Sequence, residues 1–541
     1  MKRRNFIQLS TLAGAAPIIT SSIATSSCAS SISEEQPVSE EPFELEEWTV
    51  DQMQEAMESG RYTSRKICEL YLTRIEKKDQ SEGGLNSVIE INPDALSIAD
   101  ELDQERADGK VRGHLHGIPV MVKDNIDTGD KMMTTAGSMA LMGTTAPDDA
   151  FIIKQLRASG AVLLGKTNLS EWANFRSSRS SSGWSGRGRQ TNNPYALDRN
   201  PCGSSSGSGA AVSGNMCAIT IGTETNGSIV CPASHNGVVG IKPTVGLWSR
   251  DGIIPISVTQ DTAGPMGRTV TDAATLLGAC VGEDVADSKT AESTGKYYQD
   301  YTQFLDTNGL QGKRLGLLKD AYGSHEKSDE VLQNALKIIE DQGATIIDEV
   351  EIWNWSEFEG TDDVLYYEFK DGLNKYFQSR PDLAVQTLEE VIRFNQDRAG
   401  EEMPYFQQER MERAEALGAL DSEDYKQQLQ KLLKVARGRY DERLEELELD
   451  AFIALTAGPS WKTDPLLGDN FRGGTSTSTP AARAGYPHVT VPAGYVYGLP
   501  LGISFFAGAY SEPKLISLAY AFEQASKVRV APKLPATVEL L

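Results

Sequence analysis

Apolar residues recur at helical spacing early in the chain, where Ile67, Leu70, Tyr71 and Ile75 share one face behind Thr63 and Ser64, residue types that cap a helix. Residues 93–108 continue in that mode. The pattern then shortens into apolar runs at 118–122, 161–164, 218–221, 314–318, 344–348, 451–455, 489–491 and 501–506, which read as strands. Helical segments such as 148–158 and 330–341 stand between them. This alternation predicts an α/β fold on a central, largely covered sheet. Between residues 360 and 448 the chain is charged and helical. Over 423–447, for example, Leu429, Leu432, Leu433 and Ala436 interrupt runs of Lys, Arg and Glu, as in a helical insert with a solvated face. No internal repeat is visible.

The 541 residues carry a formal net charge of −24, which excludes a nucleic-acid partner, because phosphates demand a basic footprint. Residues 1–30 place Lys2, Arg3 and Arg4 before a weakly apolar stretch rich in Ala, Ser and Thr, and read as an export signal of twin-arginine type. That stretch is too short and too polar for a membrane span. Cys28 stands where a lipid-attachment cysteine would, although Thr25 occupies the upstream position usually held by an apolar residue. Lipidation and a nearby cleavage that leaves Cys28 incidental both stay open. A periplasmic or membrane-anchored location follows. Residues 31–47, rich in Glu, Ser and Pro, read as a disordered acidic linker, and 48–541 as one domain with a helical insert at about 355–450. Six cysteines in this length make no disulfide framework. A twin-arginine substrate folds before export in a reducing compartment, so Cys202 and Cys231 read as free thiols. No Cys/His cluster has zinc spacing, so no metal and no cofactor is expected.

Two small-residue runs carry the densest hydroxyl chemistry: Gly203-Ser204-Ser205-Ser206-Gly207-Ser208-Gly209 and Gly222-Thr223-Glu224-Thr225-Asn226-Gly227-Ser228-Ile229. Glycine beside serine lets amide N–H groups approach a reacting atom closely, as acyl transfer requires. A flexible Gly/Ser linker would not alternate with the apolar segment between the runs. A serine nucleophile needs a base, and none of the five histidines is placed as its partner. Lys123 is the better candidate: it ends the apolar run 118–122, where burial would favour the neutral amine, although on this stretch alone it also reads as an ordinary strand-end lysine in solvent. In a strand, Asp124 points to the opposite face and need not pair with it.

Three other motifs fail in context. Gly160-Ala161-Val162-Leu163-Leu164-Gly165-Lys166-Thr167 fits a P-loop formula, but its centre is itself a strand. Gly203-Ser204-Ser205-Ser206-Gly207 fits the nucleophile elbow of an α/β-hydrolase, with Ser205 as nucleophile, but no apolar strand precedes it. Ser324-His325-Glu326-Lys327 reads as a helix cap.

Lys123 and the two runs, with Gly237-Val238-Val239-Gly240-Ile241-Lys242-Pro243-Thr244, Asp261-Thr262-Ala263-Gly264-Pro265-Met266 and Tyr486-Pro487-His488-Val489-Thr490-Val491-Pro492, resemble the amidase signature family over most of the chain. The resemblance implies a single large mixed β-sheet covered by helices on both faces. It implies a Ser–Ser–Lys triad in which Ser228 attacks the amide carbonyl, Ser204 relays its proton and neutral Lys123 receives it. Backbone N–H groups of Thr225, Asn226, Gly227 and Ser228 would form the oxyanion hole. Gly203, in a cis bond to Ser204, together with Ser205 and Thr223 would support the loops. Many members have Asp, Gly and Arg where this chain has Glu224, Asn226 and Val230, and the pattern resembles more the branch of bacterial peptide amidases and plant fatty-acid amide hydrolases. The implied activity is hydrolysis of a carboxamide through an acyl-enzyme, with peptide C-terminal amides as the leading substrate. Fatty-acid or aryl amides, an amidotransferase subunit and a catalytically silent binding protein are the alternatives. Two further readings stay open. Arg176, Arg179, Arg187 and Arg189 form a basic loop that either steers anions or is simply solvated, and Phe358, Tyr366, Tyr367, Phe369, Tyr376 and Phe377 line an acyl pocket or belong to the core.

Overall fold

Eleven strands form one mixed sheet: β1 Val88–Ile91, β2 Pro119–Lys123, β3 Val162–Thr167, β4 Ile219–Glu224, β5 Val239–Lys242, β6 Thr262–Gly267, β7 Arg314–Leu318, β8 Thr345–Val350, β9 Ala451–Leu455, β10 His488–Val496 and β11 Leu499–Phe506. Their order across the sheet is β1-β3-β2-β4-β6-β5-β10-β11-β9-β7-β8. The computed structural model describes residues 43–321, 325–470 and 477–538. The predicted export signal and Cys28 lie outside the described residues, as does Ser324.

β3, β2 and β4 run parallel to one another, and β4, β6 and β5 continue antiparallel. Every residue of β2, β3, β4, β6 and β11 is buried, so both faces of the centre are covered. That is why these strands read as continuous apolar runs rather than alternating ones. Helices Glu326–Asp341 and Glu512–Ser526 pack against β10, and helix Ser206–Ser213 packs against β4.

The hydrophobic pattern locates eight of the eleven strands and misses β1, β5 and β6. β6 carries Gly264 and Pro265, residues depleted from strands, yet it pairs on both edges in the middle of the sheet. The P-loop-like segment contributes β3, and Lys166 is buried, donating to the Ile126 carbonyl at 3.0 Å and to Thr134 Oγ1 at 2.6 Å.

The body begins at Phe43 rather than at residue 48. Leu45 is fully buried, and Glu47 Oε2 accepts from Arg529 Nε at 2.7 Å, so the last five residues of the predicted linker are ordered by contacts with the C-terminal segment.

Helices Val364–Ser379, Leu388–Asp397, Glu409–Glu415 and Glu423–Glu446 occupy the charged middle region. Of the six aromatic residues singled out in the sequence, Phe358, Tyr367, Phe369, Tyr376 and Phe377 are buried in the core and Tyr366 is half-buried against it. Phe369, Tyr376 and Phe377 cluster with Trp172 and Phe175, and Phe358 and Tyr367 with Tyr425 and Tyr440. The basic loop is solvated only in part, and two of its arginines are engaged inside the protein. Arg176 is fully buried, paired with Glu171 and the Glu402 carbonyl, and Arg187 is held by Glu90 and Asp124. Only Arg179 and Arg189 of the four are exposed. Among the described residues, no helix is long and apolar enough to cross a membrane.

Candidate active site

β2 delivers Lys123 to the centre of the sheet, where its side chain is fully buried. Its Nζ lies 2.8 Å from Ser204 Oγ, 3.0 Å from Ser205 Oγ and 2.8 Å from Thr223 Oγ1, with the Thr223 carbonyl at 3.3 Å. Burial pushes the amine down to about 7, against the smaller pull of the Asp261 and Glu224 carboxylates, so near neutral pH a large share of it is uncharged. Asp124 turns the other way, accepting from Thr135 and the Gly137 N–H and pairing with Arg187. It does not compete for the lysine.

The hydroxyls around Nζ are not equivalent. Ser205 donates to the Thr223 carbonyl at 2.9 Å and accepts from the Thr223 N–H at 3.1 Å, so its proton is committed. It is also fully buried, which removes it as the elbow nucleophile. The Ser204 proton has no such carbonyl partner among the described residues, and a neutral amine 2.8 Å away is its natural acceptor. The Gly203–Ser204 peptide bond is cis. A β-carbon on Gly203 would stand 2.2 Å from Ser170 Oγ, so only glycine fits between the serines of the two adjoining segments.

The second loop leaves β4 at Glu224 and enters helix Val230–His235. Glu224 Oε2 accepts the N–H groups of Ile229 at 2.8 Å and Val230 at 3.1 Å, while Thr225 Oγ1 donates to Asp261 Oδ1 at 2.6 Å. Gly227 takes a φ of 85°, a turn that brings Ser228 back toward the first loop. The Ser205 N–H donates to the Ser228 carbonyl at 3.2 Å, which docks the two loops, and the Ser228 side chain keeps partial access to solvent. No acceptor among the described residues engages the backbone N–H groups of Thr225, Asn226, Gly227 or Ser228.

Cys202 and Cys231 form a disulfide, correcting the reading of both as free thiols. Cys202 adjoins Gly203 and Cys231 follows Ser228 by three positions, so docking the loops brings the sulfurs together, with Cα atoms 5.9 Å apart. Sequence spacing could not reveal this, because the 29-residue separation is closed only by the tertiary fold. His235 adjoins Cys231, and these three residues are the one Cys/His grouping at metal-binding distance among those described. Closing a loop of this length contributes about 3–4 kcal/mol. The Cys202→Ala/Cys231→Ala variant is therefore expected to lose that amount in denaturant unfolding; an unchanged midpoint would contradict it.

Sequence reasoning missed Asn125, whose Nδ2 donates to Thr223 Oγ1 at 3.1 Å, and the loop-holding part of Glu224. Asn125 lies in the turn just after β2, two positions beyond Lys123. Histidines 116, 235 and 488 are buried and touch none of the three candidate catalytic side chains.

A cavity of about 280 Å³ opens onto Ser204, Thr223, Thr225 and Asn125. One wall is the segment from Ile253 to Val258, and another is helix Val364–Ser379 through Glu368, Asp371 and Gly372. A serine hydroxyl beside a buried amine whose neutral form is favoured by burial, at the edge of a cavity and next to a loop with unengaged N–H groups, is an arrangement that can support acyl transfer.

Comparison with known proteins agrees. The family model described as Amidase matches residues 66–516. A probable amidase of Arabidopsis thaliana is 42% identical over 502 residues, covering 91% of this chain and 92% of that protein. The solved structure of native peptide amidase from Stenotrophomonas maltophilia is 47% identical with a TM-score of 0.86, covering 91% of this chain and all of that one. A structure of the peptide amidase in complex with the competitive inhibitor chymostatin superposes with a TM-score of 0.87 at 46% identity, with the same coverage. The sheet order, the buried lysine against two docked serine loops and this breadth of similarity lead to one conclusion: the chain belongs to the amidase signature family and is an amidase.

Proposed function

We propose that this amidase hydrolyses the C-terminal carboxamide of peptides through an acyl-enzyme on Ser228. The observation that carries the reading is the buried Lys123 amine 2.8 Å from Ser204 Oγ at the edge of the cavity. Ser228 Oγ attacks the carbonyl carbon while its proton passes to Ser204 and the Ser204 proton passes to Lys123. The C–N bond then breaks as ammonia takes a proton back along the same path. Water repeats the sequence on the acyl-enzyme and releases the acid. The N–H groups of Thr225 to Ser228 receive the oxyanion.

Two observations favour peptides over fatty-acid amides. The cavity wall mixes Ile253, Ile254 and Ile256 with Asp251, Glu224 and Asn125, whereas a long acyl chain needs an unbroken apolar lining. The similar solved protein is itself named a peptide amidase. In this reading residues 1–30 direct export, with Cys28 as an anchor when lipidated.

The test is ammonia release from panels of peptide, aryl and fatty amides, run beside labelling with a serine-directed fluorophosphonate. Release from peptide amides with stoichiometric labelling supports the reading. Preference for fatty or aryl amides would replace the substrate class, and neither turnover nor labelling would indicate a silent fold. Export is tested separately by fractionating cells that carry the Cys28→Ser chain.

A further inference from the structure

The polar groups lining the cavity divide into those the protein already uses and those it does not. Both cations are used. Arg250 donates Nε to Asp287 Oδ2 at 2.7 Å and Nη1 to the Val258 carbonyl, and Lys375 holds Asp371 at 2.7 Å. Two of the carboxylates are also filled. Glu368 accepts from Ser257, from Thr259 at 2.9 Å and from Tyr425 at 2.7 Å, and Asp261 accepts from Thr225 and from the N–H groups of Ile256 and Ser257.

What remains unfilled among the described residues is made of acceptors. Asn125 is 4% exposed, and with Nδ2 spent on Thr223 its Oδ1 has no donor. Glu224 is 1% exposed, and its Oε1 likewise has none. The half-buried Asp251 carboxylate makes no hydrogen bond and no ion pair with any described residue, and the surrounding Asp284, Asp148 and Asp287 are of its own sign. Lys154 is engaged by Asp148 at 2.6 Å. Asn125 Oδ1 and Glu224 Oε1 are enclosed, so the unpaired acceptor that the cavity itself presents is the Asp251 carboxylate, which is complementary to a cationic N–H donor.

Resting on the carboxamide-hydrolase reading, we infer that the cavity selects carboxamides bearing a cationic amine on the acyl side, with Asp251 as the specificity-determining residue that pairs with that amine. A peptide amide with a free α-ammonium or a lysine side chain meets this description, and its N-acetylated or norleucine counterpart does not.

The experiment compares matched pairs, dipeptide amides with a free amine against their N-acetyl forms, on the wild type, Asp251→Asn and Asp251→Glu. In the wild type the amine form is expected to win by about tenfold or more in kcat/KM, carried by KM and weakened by salt. Asp251→Asn should erase the preference by lowering kcat/KM for the amine form to that of the acetylated form, and Asp251→Glu should keep most of it. Calorimetric binding of the same pairs to Ser228→Ala reads selectivity without turnover. Equal binding of the two forms, or a preference that survives Asp251→Asn, overturns the inference. Selective binding without turnover by the wild type instead overturns the proposed reaction and leaves the selectivity standing.

Discussion

Ser228→Ala is expected to lower kcat on a peptide amide by about 10⁴-fold or more with little change in KM, because it removes the atom that forms the acyl bond and leaves the cavity intact. The loop should survive the change. Glu224 holds the N–H groups of Ile229 and Val230, and the Ser205 N–H reaches the Ser228 carbonyl, contacts that do not involve the Ser228 hydroxyl. Fluorophosphonate labelling should disappear with activity, and an acyl-enzyme trapped on wild type should map to the peptide containing residue 228. Ser205→Ala separates the two candidate nucleophiles. Its hydroxyl is committed to Thr223, so the damage should come through a loosened Lys123 rather than through loss of the acyl bond. Labelling of Ser228→Ala at wild-type stoichiometry would end the assignment.

Lys123→Ala is expected to cost about 10²–10⁴-fold in kcat, the range for removing a positioned general base. The wild-type pH profile should identify the same group. The amine is pushed down from its ordinary value to about 7 by burial, and only the neutral form accepts a proton. Activity should therefore be low in acid and rise with pH to a plateau, with its midpoint near 7. Lys123→Arg should fail across that range, since a guanidinium stays protonated. A linked effect on stability has a definite sign. Between about pH 7 and the ordinary lysine pKa, the unfolded chain holds a proton that the folded chain has released, so this residue's contribution makes the fold more stable as pH rises through that window. Lys123→Met should flatten that part of the stability profile. An acid limb that stays at the same pH after Lys123 is replaced would show that another group governs it.

The route from chain to site can be judged residue by residue. Lys123 was legible as a candidate because it ends an apolar run, but an ordinary solvated lysine fitted that run as well until the family resemblance was added; the serine runs were legible because glycine, serine and buried apolar segments rarely alternate without a tight turn to make. Asn125 stands in the turn just after β2, and went unread because its partner, Thr223, lies 98 residues away. β6 was illegible for the opposite reason. Its Gly and Pro contradict strand propensity, and pairing on both edges overrides that preference.

By itself, then, the sequence determined the α/β class, most of the sheet, the two serine runs and Lys123 as a candidate base, since periodicity and local residue chemistry act over a few positions, while the parts of Ser228 and Ser204 came from the family resemblance. Tertiary structure alone decided that Cys202 meets Cys231, that Arg176 is buried against Glu171 and that aromatic residues of the insert are core. It alone decided which cavity acceptors stay vacant. Each of these is a property of groups distant in the chain, and whether a charge is paired, a thiol oxidised or a carbonyl left without a donor depends on what packing places beside it.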